Sequence, residues 1–406
     1  MKNEINIGIM GGLINNRNLG CLALTYSLLK ELETLSKDRA VNFNYIIFDY
    51  VTEEAGAEQI SRELSIDRSR IKVEPIGKFY FYTPKKVMAS LKSWRINVEM
   101  IKSIKKCDLV IDISQGDSFT DIYGEYRFYT LTSIKWLVEK LRIPFILGPQ
   151  TYGPFRNSKS KKFARQVIEN AEIVASRDLM SKMYVEQFTN KKVINVTDLA
   201  FALPYHLEKN KNQTCAKIKV GINPSGLLSK SKTEGTIVKN EVTVNYDKLM
   251  RRVVEYLKSE KKYEIHLIPH VGDEAYKCMP NMTDVIYHRE FKNPVEAKSV
   301  IAQMDIFIGA RMHATIAAFS AGVATIPIAY SRKFEGLFKS IGYNCVIDIT
   351  KLDDEQAYTE IIENVLNYSN LKNQIQDCKK NVEKKRIEFR DLLDNEIMKI
   401  VQNKQQ

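Results

Sequence analysis

Arg311 and His313 stand one residue apart in IFIGARMHATIAAFSAGVATIPIAYSRKFEG, residues 306–336, an otherwise apolar stretch whose far end carries Tyr330, Arg332 and Lys333. Arginine offers a planar fork of donors matched to phosphate or carboxylate, and histidine can give or take a proton near neutral pH. The pattern predicts a buried strand closing at Gly309-Ala310 and a helix opening after it, because Ile316, Ala317, Phe319 and Ala321 leave that helix little polar cover. Both side chains then sit at a strand-to-helix turn, where the helix N-terminus adds unpaired N–H groups and the positive end of its dipole. Such a turn is an anion site with a proton donor beside it. The spacing equally suits a plainer arrangement, in which Arg311 pairs with a carboxylate and His313 caps a helix turn.

Other residues of chemical interest also fall just after apolar runs. Ser176-Arg177-Asp178 follows IVA and starts a helical pattern, so Asp178 reads as its cap and Arg177 as a cation free for a ligand or for solvent. His270 follows HLIP and precedes Asp273, whereas His266 lies inside a strand, and His206 and His288 read as structural. Asp117 and Asp121 follow DLVIDI in a glycine-containing loop, where either could orient or deprotonate a hydroxyl; capping the next helix is the alternative for Asp121. No two histidines have ligand spacing and the carboxylates are scattered, so no metal site is expected. Gly8, Gly11, Gly12 and Gly20 do not form GxGxxG, and GxxxxGK[ST] is absent, which sets aside dinucleotide and P-loop readings.

The elements that must position these residues are strands alternating with helices. Short β-type runs recur at 5–10, 42–48, 108–113, 145–148, 173–176 and 193–196, with helical patterns clearest at 20–35, 87–105, 125–141 and 159–170. After a polar linker, 206–214, the alternation restarts with KIKVGIN, YEIHLIP, DVIYH, DIFIGA, ATIPIAY and NCVIDI. The expected fold is α/β: two Rossmann-like doubly wound domains, 1–205 and 215–354, facing a cleft in a GT-B-like manner, with a helical tail at 355–406. Ligands of such sheets bind beyond the carboxyl ends of the strands, so the strand-end loops are where chemistry is expected.

The 406 residues, 44% hydrophobic and 27% charged, are enough for two cores and exclude a disordered chain. No signal sequence or membrane-length apolar run stands out, and the six cysteines are dispersed, so a cytoplasmic protein with reduced core thiols is expected. The formal charge of +12 favours anionic partners. Of the two basic runs, 379–390 reads as the solvated face of a C-terminal helix, and 156–165 follows a Gly-Pro turn that could face a cleft or a membrane. The aromatic and basic stretch FYFYTPKKVMASLKSWR, 79–95, suits either contact with a membrane or lipid-linked saccharide, or ordinary helix packing.

Taken in order, Asn18-Leu19-Gly20, the GDSFTD loop, Gly148-Pro149-Gln150 with Gly153-Pro154, Ser176-Arg177-Asp178, Thr197-Asp198, Ile268-Pro269-His270 and Gly309-Ala310-Arg311-Met312-His313-Ala314, followed by Tyr330 and Lys333, resemble the polysaccharide pyruvyl transferase family over nearly the whole chain. The 80–106 region and the tail carry no such signal. Where that family commonly has an acidic residue after N-x-G, Cys21 stands here. The resemblance implies transfer of pyruvate from phosphoenolpyruvate onto two hydroxyls of a sugar as a cyclic ketal. It implies no further cofactor and an oligosaccharide or lipid-linked acceptor; no nucleic-acid partner is expected, and peripheral contact with the inner face of a membrane is one of the two readings of the 79–95 stretch. On this reading His313 is the acid and Asp117 or Asp121 serves the acceptor hydroxyl. Arg177, Arg311 and Lys333 are the cations for the donor, and Tyr330, His270, Asn18 and Gln150 complete the binding residues.

Two other classes fit the same residues. A GT-B nucleotide-sugar glycosyltransferase would use Arg311 and Lys333 for the diphosphate and Glu335 for a ribose. A non-catalytic polyanion-binding protein would use the basic charge alone, and leaves the strand-end cluster without a reason.

Overall fold

The computed structural model describes residues 4–77, 88, 91–207, 217–229 and 242–405. They form two compact units. The first comprises the chain up to Asn16, Leu24–Ala202 and the chain from Lys384 onward; the second comprises Arg17–Ala23 and Leu203–Glu383.

In the first unit the elements run β1 (Glu4–Met10), α1 (Leu19–Arg39, whose first turn belongs to the second unit), β2 (Asn42–Asp49), α2 (Glu54–Leu64), β3 (Ile71–Pro75), α3 (Trp94–Ile104), β4 (Leu109–Asp112), α4 (Glu125–Lys140), β5 (Phe145–Gln150), α5 (Ser158–Asn170), β6 (Ile173–Ser176), α6 (Leu179–Glu186) and β7 (Ile194–Asn195). All seven strands are parallel, in the order β3-β2-β1-β4-β5-β6-β7. Helices cover both faces of a parallel sheet, which is why the central strands read as continuous apolar runs. Ile7 and Ile9 of β1 and Leu109 and Ile111 of β4 are all fully buried, and such a side chain contributes about 1.5–3 kcal/mol relative to an exposed one. β3 is not among the strands that the sequence predicts, because this edge strand, IKVEP, interleaves Lys72 and Glu74 with its apolar residues instead of running apolar. Gly11 must be glycine: its φ is +65°, and a Cβ there would run into the backbone nitrogen of Ser114.

The second unit continues with β8 (Ile218–Asn223), α7 (Tyr246–Ser259), β9 (Tyr263–Leu267), α8 (Glu274–Cys278), β10 (Ile286–Tyr287), α9 (Pro294–Ile301), β11 (Ile306–Gly309), α10 (Met312–Ala321), β12 (Ala324–Ala329), α11 (Arg332–Ser340), β13 (Ile347–Asp348), α12 (Asp354–Leu366) and α13 (Tyr368–Gln405). Its parallel sheet has the order β10-β9-β8-β11-β12-β13. The chain reverses its direction of winding between β8 and β11, and the crevice beyond that pair is where open α/β sheets bind ligands. As expected from its composition, α10 is buried nearly all round, through Ala314, Ile316, Ala317, Ala318 and Phe319. Gly322, at φ 86°, closes it in the left-handed conformation.

The long helix α13 crosses from the second unit to the first at Lys384. Its basic run is not simply a solvated face. Arg386 and Arg390 both pair with Glu31, which is 3% exposed, and Lys385 donates to Asn195 Oδ1 at 2.8 Å. In contrast, the run at 156–165 lies along α5, an ordinary packed helix that buries Ser160, Ala164, Val167 and Ile168 and leaves Lys159, Lys162 and Arg165 exposed. Most of the 79–95 stretch, including Tyr80, Lys85 and Lys86, lies outside the described residues, as does most of the 206–214 linker. Among the described residues no helix is long and apolar enough to cross a membrane.

Candidate active site

Arg311 occupies the N-cap position of α10, one residue beyond the Ala310 that follows β11. Asn223, the last residue of β8, fixes that turn: its Oδ1 accepts from Arg311 N at 3.2 Å and its Nδ2 donates to Ile268 O at 2.9 Å. The strand ends of β8, β9 and β11 are thereby tied together at the switch point of the sheet. The Arg311 guanidinium is mostly buried and pairs through Nε, at 3.0 Å, and Nη2 with the two oxygens of Glu274, itself 4% exposed. Glu274 also accepts from Gly226 N. The plainer reading of the spacing is therefore present in part: Arg311 does have a carboxylate partner. Desolvation works against the guanidinium, but Glu274, with Tyr330 and Tyr246, holds its pKa above the ordinary value.

His270 lies beneath this cluster and is 4% exposed. Burial first, then the neighbouring His313 and Arg311, push its pKa down to about 3, so the imidazole is neutral at physiological pH. It offers hydrogen bonds and no charge. The loop Arg17–Ala23 docks on the same segment through Leu19 N to His270 O at 3.3 Å, Gly272 N to Arg17 O at 3.3 Å, and an Asn18–Val271 bridge. Asn18 Oδ1 accepts from Gly20 N at 3.1 Å at the start of α1. A Cβ on Gly20 would collide with His313 Nδ1, so this glycine lets the loop close directly onto the imidazole. The Tyr330 ring lies tilted against Phe334 with centroids 5.5 Å apart, and Lys333 lies in the first turn of α11.

The second unit thus brings together Arg311, His313, His270, Tyr330 and Asn18. Arg177, Gln150, Asp117 and Asp121 belong to the first. Arg177 is 2% exposed there, with Nη1 on Asp198 Oδ2 at 2.7 Å and Nε on Thr151 Oγ1 at 3.0 Å. Gln150, fully buried, donates to Asp112 O at 3.3 Å. Asp121 receives the backbone N–H groups of Arg156 and Asn157 at 2.8 and 2.9 Å, just ahead of α5. Asp117 Oδ2 accepts from Tyr123 OH at 2.8 Å. Asp178 caps α6 through Ser181 N at 2.7 Å, as the sequence indicated. The Arg177–Asp198 pair has a measurable consequence. Asp198→Asn keeps the shape but leaves a buried cation uncompensated, and the expected loss of folding stability is about 3–5 kcal/mol, read from urea unfolding; a change under about 1 kcal/mol would show that the pair is not structurally required.

Among the described residues no group of three or more His, Cys, Asp or Glu is placed to hold a metal ion. The model of the polysaccharide pyruvyl transferases matches residues 18–332, from Asn18 to the start of α11. The chain belongs to that family. This pyruvyl transferase family member is 24% identical over 298 residues to the amylovoran biosynthesis protein AmsJ of Erwinia amylovora, covering 67% of this chain and 69% of that protein. Its fold resembles a UDP-GlcNAc 2-epimerase from Neisseria meningitidis bound to UDP-GlcNAc, with TM-score 0.53 and 11% identity over 95% of this chain and 100% of the other. It also resembles an Escherichia coli trehalose-6-phosphate structure bound with UDP-2-fluoro glucose, with TM-score 0.55 and 8% identity over 98% and 99%. At these identities the likeness establishes the GT-B-like fold and nothing about substrate.

Two residues of this cluster, Asn223 and Glu274, are not among the candidates that the sequence offers. Asn223 is the polar residue that ends the apolar run KIKVGIN, and nothing local marks its part in the turn. Glu274 opens the short helix α8 after Asp273 and carries no signal of its own, because its partner lies 37 residues further along the chain.

Proposed function

We propose that this chain transfers the pyruvyl group of phosphoenolpyruvate onto two hydroxyls of a sugar in a cell-surface polysaccharide or its lipid-linked precursor, forming a cyclic ketal. The observation that carries the reading, within a family of pyruvyl transferases, is the convergence of Arg311, His313 and the neutral His270 on one strand-to-helix turn at the switch point of the second sheet.

The donor bears a carboxylate and a phosphate. Glu274 holds the Nε and Nη2 edge of Arg311 and so fixes the guanidinium plane, and the donor would take the remaining Nη1 edge together with the N–H groups that open α10. Lys333 would add a second cation. His313 protonates the methylene carbon of the enol, leaving positive charge on the adjacent carbon and its oxygen. A sugar hydroxyl adds there and loses its proton, which restores the acid. Phosphate then departs with the C–O electron pair, the second hydroxyl closes the ring, and its proton leaves with phosphate. The scheme calls for no metal or organic cofactor. His270, kept neutral, would not compete with Arg311 for the donor's charge.

A nucleotide-sugar transferase would use Glu335 for a ribose. Both oxygens of Glu335 are engaged here, one by Lys339 at 2.5 Å and the other by Lys351 at 3.2 Å, so a ribose would have to displace one of these surface pairs. Incubation with phosphoenolpyruvate and a panel of synthetic and lipid-linked oligosaccharides is expected to release one phosphate for each pyruvyl mass gained by the acceptor. Binding of a nucleotide sugar without any affinity for phosphoenolpyruvate would reverse the choice.

A further inference from the structure

The carboxyl ends of β2, β3 and β4, wholly within the first unit, border a hollow that the pyruvyl-transfer scheme does not use. Its volume is about 370 Å³, toward the lower end of the range of small-molecule sites. Tyr50, Ile76, Gln115, Tyr126, Arg127 and Thr130 are among its walls. Tyr50 and Tyr126 are each 51% exposed. Tyr50 nonetheless has its hydroxyl raised above the usual phenol range, first by desolvation, with Arg127 opposing and Tyr126 adding to the rise. Tyr50 thus lines the hollow while about half of it stays open to solvent.

The polar groups are held in place. Gln115 adopts φ 53° and the preceding Ser114 φ 42°, left-handed values that are uncommon for non-glycine residues. Gln115 N is fixed to Gly11 O at 2.8 Å, and its Oε1 accepts from Arg127 Nη2 at 2.8 Å. The same Nη2 donates to Ser118 Oγ at 2.7 Å, and the guanidinium carbon lies 5.5 Å from the Tyr123 ring centroid. Two left-handed residues thus sit at a strand end, with an amide and a guanidinium joined by a hydrogen bond beside two half-exposed tyrosines.

That set suits one ligand chemistry. A pyranose has an apolar face of C–H bonds, which packs on aromatic rings, and a rim of hydroxyls that both donate and accept, which an amide, a phenol and a threonine hydroxyl can match. A phosphate is poorly served, because Arg127 is the one cation among the described lining residues and is already shared between Gln115 and Ser118. We propose that this hollow is a saccharide subsite for a neutral pyranose. Its assignment to the acceptor, as opposed to some other sugar, rests on the pyruvyl-transfer reading.

Saturation-transfer NMR on the full chain with methyl glycosides of glucose, galactose, mannose and N-acetylglucosamine tests it, alongside calorimetry of phosphoenolpyruvate. At least one glycoside is expected to bind. Tyr50→Ala/Tyr126→Ala should weaken that glycoside by at least about tenfold and leave phosphoenolpyruvate affinity unchanged, while Tyr126→Phe, which keeps the ring and its packing, should retain most of the binding. Failure of every glycoside to bind, or unaltered binding by the double alanine variant, overturns the subsite. A glycoside that binds through the tyrosines to a protein with no affinity for phosphoenolpyruvate leaves the subsite standing and removes the donor reading instead.

Discussion

His313→Gln is expected to bind phosphoenolpyruvate within a small factor of the parent protein and to turn it over at least about a hundredfold more slowly, the loss typical of a general acid. The structure supplies the reason for separating the two effects. Arg311, held by Glu274 and Asn223, would account for the donor's charge, whereas the His313 imidazole, which sits against Gly20 at the entry of α1, would supply the proton on the proposed reading, with His270 held neutral by burial. Single-turnover rates and calorimetry on the same preparation make the comparison. Normal turnover by the variant would eliminate His313 as the acid; weakened binding with normal turnover at saturation would make it a donor ligand.

Glu274→Gln is expected to cost about 3–5 kcal/mol of folding stability, the range found when one member of a buried ion pair is removed. The guanidinium would keep its position with no counter-charge, and Gly226 N would lose a charged acceptor. Arg311→Met should cost a comparable amount, and Arg311→Met/Glu274→Met less than the sum, because replacing a whole buried pair by apolar groups is often near neutral. Truncating Arg311 should also weaken donor binding by about 2–5 kcal/mol, with incomplete rescue by lysine, which replaces a two-pronged donor by a point charge. Phosphoenolpyruvate should raise the melting temperature of Glu274→Gln more than that of the parent, since the bound anion supplies the missing charge. An equal shift in both proteins would mean that donor and Glu274 do not share Arg311.

The central strands and the turn Gly309–Ala314 were legible because buried parallel strands leave an apolar run and a polar residue at the end of such a run has few places to go. The basic run of α13 misled for the converse reason. Helical spacing says that Arg386 and Arg390 share a face; it does not say that Glu31, more than 350 residues away, meets that face.

By itself, then, the sequence determined two sets of alternating strands and helices, the loops that end their strands, and a family motif in which Arg311 and His313 flank one turn. Only the tertiary structure decided the partnerships. The strand order β10-β9-β8-β11-β12-β13 places the ends of β9 and β11 on either side of β8, so Glu274 reaches Arg311 and His270 comes beside His313. The tertiary structure likewise assigns Arg17–Ala23 to the second unit, where Gly20 packs on His313, and in the first unit commits Arg177 to Asp198 and Asp121 to two backbone N–H groups. Periodicity records which face of an element is buried. Which strand-end loops meet is set by sheet order, and that order arises from long-range pairing that leaves no local trace in the chain.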